Sequence, residues 1–207
     1  MENMIKINPD FDSKARHWDE VPARVERANA VADAIREQVN LSPEMTALEY
    51  GCGTGLLSFA LQPCLGPITL ADSSTGMLEV LKEKICLSGV KNMTPLQLDL
   101  STDPLPANRY ALIYTLMTLH HIPDTPDILQ KFHALLEPPG FLCIADLDKE
   151  DGSFHDHEFS GHNGFERQEL KELLLQIGFK KVRFTTPFAM KKGTRVYPLF
   201  LAVGEKR

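Results

Sequence analysis

A chain of 207 residues, 43% hydrophobic and 24% charged, has the composition of one globular domain with a substantial core. A net charge of -6 and a pI near 5.6 give no general attraction for polyphosphate, so the totals point away from a nucleic-acid partner. No apolar run approaches the roughly 18 residues of a membrane span, and Met1-Glu-Asn-Met-Ile-Lys6 lacks the apolar core of a signal peptide, so the expected compartment is the cytoplasm. Cys52, Cys64, Cys86 and Cys143 are scattered without a C-x-x-C pair, which argues against a zinc ribbon or a thiol redox centre.

The first 40 residues read as helical, with Val25, Ala28, Val31, Ala32 and Ile35 close to helical spacing. A short apolar run over 47–50 then meets Gly51-Cys-Gly-Thr-Gly55 and an apolar helix over 56–61, a strand, glycine turn and helix in succession. Residues 68–71 read as a second strand, 75–87 as a helix, and 93–98 as a third strand. The continuous apolar run 110–116 has the character of a strand buried on both faces. A helix over 126–136, a turn at Pro138-Pro-Gly140 and a strand over 141–147 follow. Beyond a histidine-rich stretch come a helix over 167–177 and two strands, 181–186 and 197–203, joined by a hairpin connection over 187–198.

Regular alternation of strand and helix predicts an α/β fold: a Rossmann-like, mostly parallel sheet of seven strands with helices on both faces and an antiparallel last strand. The expected division is an N-terminal helical cap over 1–43 and one folded unit over 44–207, with 148–165 a loop near the active pocket.

Ligands of open α/β sheets bind beyond the carboxyl ends of the strands. Here those ends carry Glu49 with the glycine turn, Asp72-Ser73, Asp99-Leu100, Thr115 with His120-His121, and Asp146. Asp72 lies 17 residues after Gly55, near the spacing at which an acid accepts bonds from ribose hydroxyls. The turn reads G-x-G-x-G rather than G-x-G-x-x-G, and no lysine follows it, so neither a dinucleotide site nor a P-loop is indicated. A nucleoside without phosphates suits the pattern better.

Leu48-Glu-Tyr-Gly-Cys-Gly-Thr-Gly55, Ala71-Asp-Ser-Ser-Thr-Gly-Met77, Gln97-Leu-Asp-Leu100 and Leu119-His-His-Ile-Pro-Asp124 together resemble the motifs of class I S-adenosylmethionine-dependent methyltransferases of the small-molecule branch. The resemblance is strong over 44–150, and 164–179 extends it towards the C-terminus. It implies S-adenosyl-L-methionine as cofactor, S-adenosyl-L-homocysteine as product and a small-molecule methyl acceptor. Position by position, it places the backbone of Gly51, Cys52 and Gly53 against the methionine part, with Glu49 orienting that end. Asp72, with Ser73 beside it, would bind the ribose diol. Met77 would pack beside the adenine, Asp99 would accept from its amino group, and Leu100 would offer a backbone amide. Thr115 would line the cofactor, and Trp18 would cover it or staple the N-terminal segment.

Methyl transfer from a sulfonium releases a neutral thioether and needs no acid; a base is needed only when the acceptor must lose a proton. His120 and His121 are the candidates for acceptor contact, and no catalytic residue is assigned between them. Strand four lacks the Asn/Asp-Pro-Pro-Tyr and Pro-Cys motifs of base-modifying enzymes. Two other functions stay open at this level: a nicotinamide-dependent oxidoreductase, against which the glycine spacing counts, and a non-catalytic S-adenosylmethionine-binding module. The stretch from Asp151 to Phe165, with His155, His157 and His162, reads as a substrate lid, a solvated loop or a weak metal site.

Overall fold

The computed structural model describes residues 9–155 and 159–207. Its strands β1 (Ala47–Tyr50), β2 (Ile68–Asp72), β3 (Met93–Gln97), β4 (Tyr110–Leu116), β5 (Leu136–Leu147), β6 (Lys180–Lys192) and β7 (Arg195–Lys206) form one sheet in the order β3-β2-β1-β4-β5-β7-β6. Strands β1 to β5 pair in parallel, and β7 runs antiparallel to both β5 and β6. This is the α/β architecture that the alternation of elements predicts.

Helices α2 (Pro22–Gln38), α3 (Leu56–Leu61) and α4 (Thr75–Ser88) cover one face, where Val31, Ile35, Leu57, Leu61 and Leu81 pack on Ala47, Leu70, Leu112 and Leu201. Helices α5 (Thr125–Leu135) and α6 (Arg167–Ile177) cover the other, with Leu129, Phe132, Leu170 and Leu174 against Leu48, Ile113, Ile144 and Phe200. Successive β1 residues serve opposite faces, so all four are buried and the strand reads as unbroken apolar sequence around Glu49. Helix α2 therefore shares the core of the sheet. The segment ahead of it, α1 (Pro9–Lys14) and a 3-10 turn over Ala15–His17, lies outside the layers against α4.

Local chemistry sets the helix ends. Ser74 Oγ accepts from the Met77 amide at the start of α4, and Gly89 closes that helix in the left-handed conformation. Asp124 caps α5 through the Asp127 amide, with Pro126 in the first turn.

Two expectations are corrected. Pro138-Pro-Gly140 is part of β5, which starts at Leu136 and carries a register shift opposite Tyr110 and Leu112. The connection expected over 187–198 is mostly strand: β6 and β7 run on to Lys192 and Arg195, leaving a two-residue turn with Gly193 at φ 59°. Strand β6 runs through Pro187 because it is an edge strand and Pro187 falls at its bulge between Thr185 and Phe188.

Candidate active site

Strand order reverses between β1 and β4, and the crevice at their carboxyl ends holds the glycine turn. Gly51 adopts φ 71°, and a Cβ there would stand 2.3 Å from the Thr118 side chain. Only glycine lets the turn pass beneath that threonine. The Gly51 and Cys52 amides both donate to the Ala71 carbonyl, at 2.8 and 3.0 Å, locking the turn to β2. Cys52 itself is buried, which pushes its thiol well up and keeps it neutral.

The Asp72 carboxylate sits between two backbone donors, Gly53 N–H at 2.7 Å and Ser74 N–H at 2.8 Å. Burial raises its pKa against the pull of those amides. Each oxygen keeps lone pairs for a neutral hydroxyl. Ser73 beside it is exposed, and Met77 is buried with its sulfur against Gly53. Asp99 is half-buried, and its Oδ1 accepts from the Ser101 amide at 2.9 Å. The Leu100 amide, by contrast, donates to the Tyr50 hydroxyl at 3.0 Å and is spent within the fold. Thr115 is buried in β4 with no partner for Oγ1 among the described residues.

Glu49 works from below the turn. Its carboxyl accepts from the Ser58 amide at 3.2 Å and from the Ser58 hydroxyl, which in turn meets the Tyr114 hydroxyl at 2.6 Å. Burial pushes this carboxyl up to about 8. Its bonds thus tie β1 to α3 and steady the turn from beneath.

The donor set fits a nucleoside with a diol and an exocyclic amine. Acceptors line two strand ends, a bare glycine backbone lies between them, and Lys84, the lysine that reaches the turn, is committed to Asp19 at 2.5 Å and the Thr54 carbonyl at 2.7 Å. Nothing here is arranged for a pyrophosphate.

The N-terminal segment bridges this half of the crevice to the other. Asp12 accepts from Ser74 Oγ at 2.5 Å and Gly76 N–H at 2.9 Å, adding a carboxylate to the N-terminus of α4. Phe11 lies edge-on to Trp18 at 5.9 Å and to His121 at 5.4 Å. Trp18 is half-buried under the Arg24 guanidinium, 3.7 Å above its ring.

Past β4 the chain leaves the sheet through Met117, whose φ of 55° is strained for a residue with a side chain. That bend seats Thr118 on Gly51 and carries His120 to the end of β5. His120 is 1% exposed, and its Nδ1 lies 2.7 Å from Asp146 Oδ1. Asp146, fully buried, also accepts from the His120 amide at 3.1 Å and the Leu147 amide at 2.7 Å. Burial alone would raise its pKa, but His120 and these amides hold it below the usual carboxylate range. An ionised carboxylate accepts only, so Nδ1 donates to Asp146, and in the neutral ring this tautomer leaves the lone pair on Nε2. No described residue bonds that nitrogen. His121 is different: burial, with His120 alongside, pushes it down to about 3, so it stays neutral.

The described parts of the histidine-rich stretch, 151–155 and 159–165, fold back over this pair. Its stem closes where Asp148 bridges Phe165, and the His162 amide donates to the His120 carbonyl at 2.8 Å. Phe159 stacks on His155 at 3.6 Å and meets His121 edge-on at 5.2 Å. His162 Nε2 faces the carbonyls of Ile122 and Pro123, at 3.0 and 3.2 Å, so it donates there as a structural tie. His157 lies outside the described residues, and among those described no group of three or more ligating side chains is placed to hold a metal.

Sequence reasoning named His120 and Asp146 separately and missed their pairing, because 26 residues separate them and no spacing rule joins a loop histidine to the next strand's end. It also missed Asp12 and Asp19, whose partners lie beyond residue 50, and Phe11, which meets both Trp18 and His121.

The strand order, the glycine turn and the acids at the strand ends define the fold and site of a class I S-adenosylmethionine-dependent methyltransferase. A methyltransferase-domain family model matches residues 23–183, and the chain belongs to that family. An uncharacterized methyltransferase of Schizosaccharomyces pombe is 33% identical over 118 residues, 54% of this chain and 42% of that protein. A ubiquinone biosynthesis O-methyltransferase of Marinobacter nauticus is 31% identical over 123 residues, 58% of this chain and 51% of that protein. The chain thus spans about half the length of these curated relatives. The crystal structure of a SAM-dependent methyltransferase from Aquifex aeolicus superposes with a TM-score of 0.67 at 22% identity, covering 92% of this chain and 97% of that one. Among the described residues no helix is long and apolar enough to cross a membrane.

Proposed function

We propose that this protein transfers a methyl group from S-adenosyl-L-methionine to a small-molecule acceptor, with His120 as the base that takes the acceptor's proton. The observation that carries the reading is the buried His120–Asp146 pair, with Nε2 unbonded among the described residues, beside a glycine turn and ribose-type acid.

Bound S-adenosylmethionine supplies an electrophilic methyl group on a sulfonium, which leaves as a neutral thioether. Asp72 and Asp99 hold the nucleoside end; Gly51 and Gly53 leave room for the rest. His120 Nε2 accepts the proton of an acceptor hydroxyl as the new bond to carbon forms. Asp146 fixes the tautomer and stabilises the imidazolium that results. His121, Phe11 and Phe159 wall the site with neutral rings and exclude water, which strengthens the charge interactions within. The N-terminal segment over 9–20 serves as a cap and the loop over 148–165 as a lid.

A hydroxyl acceptor is favoured because a base would be superfluous for a neutral amine or a thiolate. The similarity to a ubiquinone biosynthesis O-methyltransferase is consistent with that choice. The acidic net charge disfavours a nucleic-acid acceptor, and four free thiols suit a reducing, cytosolic setting.

A screen of phenols, quinol precursors, thiols and amines for S-adenosylhomocysteine release tests the proposal. Turnover of phenolic acceptors that collapses in His120→Ala is the expected result. Tight NADH binding without S-adenosylmethionine binding would sink the cofactor assignment, and cofactor binding without release on any acceptor would favour a non-catalytic module.

A further inference from the structure

Helix α2 carries two arginines, Arg24 and Arg27, one turn apart and so on one face. Arg24 is committed: it lies over the Trp18 ring, and its Nη1 donates to the Trp18 carbonyl at 3.1 Å. Arg27 is not. Its single hydrogen bond among the described residues runs from Nη1 to the Met190 sulfur at 3.2 Å, a weak acceptor on β6. Its Nε is buried with no partner, and it joins no ion pair among the described residues.

A guanidinium buried among apolar groups without a counter-ion is costly, and folded proteins normally pair such groups or put them to use. The one described hydrogen-bond partner of Arg27, Met190, belongs to the buried hydrophobic cluster that α2 shares with β7, so the guanidinium sits at an apolar contact. Burial and, secondarily, the Arg24 charge bring the Arg27 pKa down to about 10, with Asp146 opposing the shift. Asp146 does not pair with Arg27: its oxygens bond His120 Nδ1 and two backbone amides, and no hydrogen bond joins it to the guanidinium among the described residues. The fold therefore keeps an unspent positive fork near the pair proposed to do the chemistry.

We propose that Arg27 anchors a carboxylate of the methyl acceptor, so that the substrate is a hydroxy acid whose hydroxyl reaches His120 while its carboxylate meets the Nε edge of the guanidinium. The proposal rests on the methyltransferase reading and adds the substrate class to it. A planar carboxylate matches one guanidinium edge through two parallel N–H···O bonds. A phosphate dianion fits less well, because the one other arginine of this face is already used and the Asp146 charge stands close by.

The test uses the full chain saturated with S-adenosylhomocysteine, titrated with matched pairs: hydroxybenzoates against hydroxybenzamides, and short aliphatic hydroxy acids against their amides. Phenyl phosphate and inorganic phosphate form a separate arm. S-adenosylhomocysteine affinity is measured first in wild type, Arg27→Gln and Arg27→Lys. The expected outcome is unchanged product affinity in all three, preference for at least one acid over its amide by about tenfold or more in wild type, and loss of that preference in Arg27→Gln. Arg27→Lys keeps part of it, since the charge remains but the fork is gone. Equal binding of acids and amides, or an acid preference that survives in Arg27→Gln, overturns the inference while leaving the methyltransferase reading intact. Arg27-dependent binding confined to the phosphate arm overturns the carboxylate assignment. Failure of the wild type to bind S-adenosylhomocysteine removes both readings.

Discussion

The two halves of the crevice are built by different means. On the side of β1, β2 and β3 the site is made of backbone: glycine φ values, amides of Gly53 and Ser74 on Asp72, and amides of Gly51 and Cys52 on the Ala71 carbonyl. On the side of β4 and β5 it is made of side chains that meet from distant parts of the chain, His120 with Asp146, His121 with Phe11 and Phe159, Arg27 with Met190. A backbone cradle suits a ligand common to many enzymes. It can be kept while the side chains opposite change with the acceptor. The difference predicts that damage to the first half shows as lost cofactor affinity, and damage to the second as lost turnover.

The sharpest way to break that division is at His120. His120→Ala should lower kcat on a hydroxyl acceptor by about 10²- to 10³-fold, with the S-adenosylmethionine Kd unchanged by calorimetry; a parallel loss of cofactor affinity would show that the halves are not separate. Asp146→Asn should come next, at about 10²-fold in kcat, because the amide no longer enforces the tautomer. Asp146 also gives a signature in stability. Its folded pKa lies below the unfolded value near 3.8, so its contribution is present above that pH and is lost as the pH falls through the folded value. Acid unfolding of the wild type should therefore steepen below pH 3.8 relative to Asp146→Asn, as followed by circular dichroism.

Asp72→Ala should weaken S-adenosylmethionine binding by about tenfold or more while kcat at saturation changes little. An unchanged dissociation constant would remove Asp72 from the ribose. The smallest effect is expected at Glu49, whose carboxyl bonds Ser58 beneath the turn. Its folded pKa is raised to about 8 from 4.5, so its stabilising balance is full below 4.5 and declines as the pH rises through 8. Glu49→Gln should flatten the pH dependence of Tm over that range and alter cofactor affinity by no more than about threefold. A larger loss would place Glu49 in contact with the cofactor rather than beneath the turn.

Legibility in the sequence followed the same division. The glycine turn, Asp72 and Asp99 could be read because each is fixed by residues within a few positions of itself: a strand ends, a turn needs positive φ, an amide two residues on bonds the carboxylate. The exceptions are instructive. Leu100 stands at the expected place, but its amide was claimed by Tyr50, 50 residues earlier on a neighbouring strand. Glu49 lies near the end of β1, but its direction is set by packing, since alternation along β1 turns it to the α3 face and Ser58. In both cases the position is a local fact and the direction of the bond is not.

The sequence by itself determined the order of strands and helices, the glycine turn and the acids at the strand ends, because period, propensity and turn chemistry act over a few residues. Only the tertiary structure decided that His120 would be oriented by Asp146, that the N-terminal segment would reach His121, that His162 would close on His120, and that Arg27 Nε would be left without a partner among the described residues. Those outcomes depend on how α2, the bend at Met117 and the long edge hairpin pack around the carboxyl end of the sheet. Such packing is a property of the whole core, which no local stretch encodes.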